Sequence, residues 1–198
     1  MKIFAFTDIH GDNKIINKIL LQIKEESPDL LICAGDLSDF SQNLKNLILK
    51  FKITNLPLLI IPGNHETPEE IKQICKKTKF AIYLHRASYE LNDYIFFGYG
   101  TGGFDREDKT FEKLIPKFKK SIKKNKKIIL ITHAPPYKTK LDKLSYIGYQ
   151  GSVSIRKFIE IINPVIHICG HLHENAGNID KIKNTVILNP GDGKIIEI

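Results

Sequence analysis

Leu56-Pro57-Leu58-Leu59-Ile60-Ile61-Pro62-Gly63-Asn64-His65-Glu66 is an apolar run that stops at Pro-Gly and then presents an amide, an imidazole and a carboxylate in succession. A buried strand that ends this way delivers polar chemistry to a strand end, where open α/β sheets carry their active sites. Four further clusters repeat the pattern: Asp8-Ile9-His10, Gly35-Asp36, Thr132-His133 and Gly170-His171-Leu172-His173. Together they read as one metal site.

The chain around this stretch alternates strand and helix. Residues 2–7 read as a buried strand ending at Asp8, and Ile15, Ile16, Ile19, Leu20 and Ile23 make one apolar helix face after Asp12-Asn13. Pro28 closes that helix, residues 29–34 form the next strand, and Leu44, Leu47, Ile48 and Phe51 mark a helix over about 41–52. Thr67-Pro68-Glu69-Glu70 is a helix start with an N-cap, proline at the first position and acids in the first turn. Such alternation requires a largely parallel sheet.

The second half changes character. Residues 80–84, 88–91 and 94–99 are short apolar segments about the turn Asn92-Asp93, which predicts antiparallel hairpins. A lysine-rich helix is expected over about 107–125, a strand at 127–132, a helix at 151–162 capped by Ser152, and a strand at 165–169. Two or three short strands complete the chain. Residues 134–150 form the longest irregular piece, and loops of that length often act as lids.

At 198 residues, 42% hydrophobic and 26% charged, the chain reads as one globular domain over 1–198, not as a disordered segment. The net charge of +8 invites an anionic partner. However, the only arginines are Arg86, Arg106 and Arg156, whereas bidentate readers of phosphate and guanine favour arginine. The lysine excess, including residues 117–127, therefore reads as solvated surface. Cys33, Cys75 and Cys169 are odd in number and lack C-x-x-C spacing, which fits free thiols in a reducing cytosol. No apolar run is long enough for a signal peptide or a membrane span.

In an extended segment residues i and i+2 point the same way, so Asp8 with His10, and His171 with His173, are each expected to aim two side chains at one point. Asp8, His10, Asp36, Asn64, His133, His171 and His173 are too many ligands for one ion and suit two, with Asp36 as the bridge. Oxygen and imidazole ligands without thiolates suit Mn, Fe, Ni, Zn or Co. Two divalent ions, two aspartates and a bridging hydroxide leave the centre at about +1, which attracts a phosphoester and stabilises its transition state. His65, beside a ligand, is expected to act as general acid or as a phosphate-stabilising donor, Glu66 to orient a neighbouring histidine, and Asp39 to play a similar supporting role. His85 and His167 read as structural, Gly98, Gly100, Gly102 and Gly103 as a mobile turn, and Arg156 as either a substrate contact or a surface ion pair.

The set Asp8-x-His10, Gly35-Asp36, Gly63-Asn64-His65-Glu66, His133 and Gly170-His171-x-His173 resembles the calcineurin-like metallophosphoesterases. The resemblance implies a four-layer α/β/β/α sandwich of two mixed sheets flanked by helices. It further implies one metal held by Asp8, His10, Asp36 and His173, a second held by Asp36, Asn64, His133 and His171, and His65 as the catalytic histidine. Phe40 stands where phosphoprotein phosphatases of the family carry arginine, which disfavours that activity. The expected function is a cytoplasmic, binuclear phosphodiesterase, with manganese the leading metal and a small-molecule or nucleotide ester as substrate. Hydroxide bridging the metals would attack phosphorus and His65 would assist the leaving group. The alternatives are a metal-dependent nuclease and a non-catalytic interaction scaffold on the same fold.

Overall fold

The structure, a computed structural model, describes residues 1–103 and 105–198. The first half follows the expected alternation: β1 (Lys2–Phe6), α1 (Asn13–Glu26), β2 (Leu30–Cys33), α2 (Leu44–Lys50, continued by a 3-10 turn over Phe51–Thr54), β3 (Leu58–Ile60), α3 (Pro68–Thr78) and β4 (Ala81–Tyr83). Asp12 caps α1 by accepting from the N–H groups of Lys14 and Ile15. Its last turn closes on Ser27 in the left-handed conformation, just before Pro28. The second half comprises β5 (Ala87–Leu91), β6 (Tyr94–Tyr99), α4 (Lys109–Ser121), β7 (Lys127–Thr132), β8 (Lys143–Leu144), β9 (Gly148–Tyr149), α5 (Val153–Ile162), β10 (Ile166–Ile168), β11 (Ile179–Ile182), β12 (Thr185–Leu188) and β13 (Lys194–Glu197).

Two mixed sheets result. The first has the order β13-β1-β2-β3-β4, parallel except that β13 runs antiparallel to β1, pairing Lys2 with Glu197 and Ala5 with Lys194. The second has the order β11-β12-β10-β7-β6-β5, with antiparallel pairs only at its two edges. Strand alternation assigns each face. Phe4, Phe6, Leu31, Cys33, Leu58 and Ile60 pack outward against Ile16, Ile19, Leu47, Phe51 and Ile71. Ile3, Ala5, Leu30, Ile32 and Leu59 point inward against Phe96, Ile129, Ile131, Ile168 and Leu188 of the second sheet. Phe97, Leu130 and Ile128 cover the other side against Phe111, Phe118, Phe158 and Ile159. Helices, sheet, sheet and helices therefore stack as the expected four layers.

Three expectations need correction. Residues 80–84 do not join a hairpin: β4 is the parallel edge of the first sheet, aligning Ile82 with Leu59, because α3 carries the chain back across before β5 and β6 form their antiparallel pair. Residues 134–150 are not irregular throughout. The Asp142 carboxylate, fully buried, accepts from the N–H groups of Lys138, Thr139 and Gly151, and the β8-β9 ribbon sits inside the loop it gathers. The glycines at 98–103 are not all in a turn: Gly98 is within β6, and beyond it the Thr101 N–H donates to the Pro62 carbonyl at 2.8 Å.

The three cysteines are free and buried. Among the described residues no helix is long and apolar enough to cross a membrane.

Candidate metal centre

All five motif clusters leave the C-terminal ends of β1, β2, β3, β7 and β10 and meet at one edge of the paired sheets. Their convergence does not come from extended backbone as expected. Asp8, His10, Asp36 and His171 all have positive φ, between 49° and 73°, so each chain turns sharply as it leaves its strand. Left-handed non-glycine residues are uncommon and cluster at functional sites. Close approach explains the neighbouring glycines. A Cβ on Gly63 would lie 1.9 Å from Asp36 Oδ1, and one on Gly170 would lie 2.1 Å from Thr7 Oγ1.

The seven candidate ligands gather in two groups that meet at Asp36. On one side His10 Nε2 is 3.1 Å from His173 Nε2, and His173 Nε2 is 3.6 Å from Asp8 Oδ1. On the other, Asn64 Oδ1 lies 3.0 Å from His133 Nε2 and 2.8 Å from His171 Nδ1. Asp36 Oδ2 stands 3.9 Å from His10 Nε2 and 3.2 Å from His133 Nε2. Donor atoms of Asp8, His10 and His173, of His10, Asp36 and His65, and of Asp8, Asp36 and His133 lie close enough in each trio to hold a cation.

His133 gives the clearest test of fit. Its Nδ1 lies 3.0 Å from the Ala34 carbonyl, which can only accept, so Nδ1 carries a proton. Its Nε2 then faces two oxygens, those of Asn64 and Asp36, and the arrangement is favourable only if a proton or a metal ion lies between. Without metal, burial works against charge on His133, but the Asp36 carboxylate overrides it and raises the imidazole to about 9. Burial likewise pushes Asp36 upward, and the bond to His133 outweighs that and holds the carboxyl below its ordinary range. His171 goes the other way, to about 4, through burial and the nearby His133. The donor set thus fits cations coordinated by nitrogen and oxygen.

The supporting residues divide differently from expectation. Asp39 Oδ1 approaches His65 Nδ1 at 2.8 Å and His10 Nδ1 at 3.5 Å. Glu66 does not serve a histidine: its buried carboxylate accepts from the N–H groups of Asp36, Ser38 and Gly63 and from the Ser38 hydroxyl. It clamps the loops after β2 and β3 together, because three otherwise unpaired backbone donors point at it. Asp36 Oδ1 adds to that clamp by accepting from the His65 N–H at 2.9 Å.

Three residues outside the ligand set also find their places. His167 Nε2 and the Thr132 hydroxyl lie 2.7 Å apart, and that hydroxyl donates to the Ala134 carbonyl, so His167 donates and is a neutral brace beside His133. His85 accepts from the Gly100 N–H and stacks on Tyr99. Arg156 pairs with Glu160 and donates to the carbonyls of Tyr137 and Lys138, which places it in the loop framework. Sequence reading missed Asp142, Ser38 and Thr7 because nothing in a lone polar residue announces burial; the Thr-x-x-Asp spacing of Thr139 and Asp142 is the one local hint.

Residues 1–175 match the family described as calcineurin-like phosphoesterase, and the chain belongs to that family, which makes it a metal-dependent phosphoric ester hydrolase. It is 32% identical over 201 residues to an uncharacterized protein of Methanocaldococcus jannaschii, covering 96% of this chain and 88% of that one. A probable glycerophosphodiester phosphodiesterase of Arcobacter nitrofigilis is 26% identical over 182 residues, or 84% of this chain and 64% of the relative. Among solved structures, a protein of Thermus thermophilus superposes with a TM-score of 0.77 at 17% identity, covering 96% of this chain and 89% of its own. That last likeness speaks to the fold.

Proposed function

We propose that the chain is a binuclear phosphodiesterase whose seven ligands are Asp8, His10, Asp36, Asn64, His133, His171 and His173. The observation that supports this most directly is the position of Asp36 Oδ2 between the two donor groups, within reach of His10 on one side and His133 on the other. Two divalent cations held there would supply an acidified water as nucleophile and neutralise the charge of a phosphoryl group. The chain's own residues do the rest. Asp39 Oδ1 stands 2.8 Å from His65 Nδ1 and sets a carboxylate beside that edge of the ring, and the other ring nitrogen, Nε2, would hand a proton to the departing alkoxide. Glu66 and the Asp36 Oδ1 contact keep the backbone of Asn64 and His65 in register with β2. The name of the Arcobacter relative favours a small diester as substrate. Manganese leads among metals that suit this donor set, and a cytoplasmic site of action agrees with three reduced thiols.

The test is hydrolysis of matched phosphodiester and phosphomonoester substrates after chelation and re-addition of Mn, Ni, Zn or Mg. Wild-type protein should recover diester cleavage with metal. Asp36→Asn should fail to retain two equivalents of metal by elemental analysis, and His65→Ala should retain them while losing a hundredfold or more of turnover, on the order of general-acid contributions. Full activity in His65→Ala would remove that residue from the mechanism.

A further inference from the structure

Among the described residues, one exposed phenylalanine at the metal centre has no part in the proposed ligand set. Phe40 is 72% exposed, and its ring centroid lies 4.5 Å from that of His65 at an interplanar angle of 44°. Single exposed apolar residues are common and carry no message by themselves. Phe40 differs in how it is held. It has φ 44° and the next residue, Ser41, has φ 58°, two successive left-handed residues without glycine. The turn is fastened on both sides, by the Ser41 N–H donating to the His65 carbonyl at 3.0 Å and by the Gln42 N–H donating to the Asp39 carbonyl at 2.9 Å. Asp39, the residue before it, is the partner of both His65 and His10. A strained, pinned turn thus holds a bulky ring in solvent beside the residue that serves the leaving group. Strain of this kind persists only where surrounding structure enforces it.

We infer that Phe40 is a stacking platform for the leaving half of the substrate, and hence that the leaving alcohol carries a planar ring, a nucleoside being the biological class with that chemistry. This rests on the placement of His65 on the leaving-group side proposed above. An aromatic face accepts any base, and stacking on one is worth about tenfold to a hundredfold in affinity. Aliphatic leaving groups, glycerol among them, gain nothing from it. The ring therefore acts on which diester is held, and His65 acts on the proton.

The chain contains no tryptophan, so Phe40→Trp gives a protein with a single indole at the platform. The probes are adenosine 5′-methylphosphonate and glycerol 3-methylphosphonate, two monoanionic diester mimics that differ in the ring, titrated into the Mn-reconstituted protein. The emission of Phe40→Trp should be quenched by the adenosine ester and not by the glycerol ester. In calorimetry, Phe40→Leu should lower the ratio of adenosine-ester to glycerol-ester affinity by about tenfold to a hundredfold relative to wild type. An unchanged ratio, or indole emission blind to the adenosine ester, would overturn the platform. An equal loss on both esters would also overturn it, and would make Phe40 a positioning residue for His65. Repeating the quench with oligoadenylate at matched nucleoside concentration separates free nucleotide from strand ends as the source of the ring. A wild-type protein that cleaves no diester with any metal defeats the phosphodiesterase reading separately, because indole quenching and calorimetric affinity report binding and require no turnover.

Discussion

At Gly63 the requirement for a missing side chain is set by Asp36, a proposed metal ligand. A methyl group there would collide with Asp36 Oδ1 at 1.9 Å, and the flanking Asn64 and His65 would be pushed off β3's end with it. Gly63→Ala should lower stability by roughly 1–3 kcal/mol, a typical cost of overpacking, and should reduce metal retention together with hydrolysis. Gly103 supplies the control. A Cβ at Gly103 would stand 3.7 Å from the His171 ring, an ordinary contact, so Gly103→Ala should keep both stability and metal content. Urea titration and metal analysis of the two variants side by side decide the point. An intact Gly63→Ala site would show that the loops after β2 and β3 can part.

Among the elements, the loop from residue 136 to 151 depends on one carboxylate. Asp142 collects three backbone N–H groups, and Asn175, just beyond His173, donates to the Leu141 and Lys143 carbonyls from the other side. Asp142→Asn puts an amide N–H₂ against backbone donors and should free the loop without unfolding the sheets. Limited proteolysis should then cut between residues 138 and 150 in the variant and spare the wild type. Equal resistance in both would show that the ribbon holds unaided. Elements were legible in the sequence in proportion to how much of their pattern is local. The spacing of Ile16, Ile19 and Ile23 disclosed α1, and the caps at Asp12 and Ser152 are side-chain bonds within three residues of each cap. The parallel pairing of β4 with β3 was hidden, because the sequence 81–83 is equally apolar whichever strand lies beside it. The ligand clusters were legible as residue types, but not the left-handed turns that aim them, since aspartate and histidine do not announce positive φ as glycine does.

For the whole molecule, the buried histidines outside the candidate metal centre, His85 and His167, weaken the fold in acid. Burial first, with Arg86 adding to it, depresses His85 to about 4, and burial depresses His167 to about 3, both from 6.5. The unfolded chain therefore binds more protons than the folded one between these values and 6.5. Their contribution to stability is complete above about pH 6.5 and is lost as pH falls toward 4, by about 1.4 kcal/mol per pH unit for each histidine. In the metal-free protein, His167→Leu should remove one such increment from the slope of unfolding free energy against pH between 6 and 4. Thr132 keeps its bond to the Ala134 carbonyl in that variant. Identical slopes would mean that His167 is protonated in the folded state after all.

The antiparallel union of residues 2–5 with residues 194–197 carries a consequence for assembly in time. Strand β1, which delivers Asp8 and His10, lies between β2, synthesised early, and β13, synthesised after every candidate ligand has emerged. During translation the growing sheet keeps an unpaired backbone edge along β1, and such edges invite mispairing with other chains. Contacts between segments so distant in sequence also form slowly. The edge that carries the candidate ligands thus gains its pairing with β13 only after the strands between have been made, and a ribosome-stalled chain lacking β13 should expose that edge to aggregation.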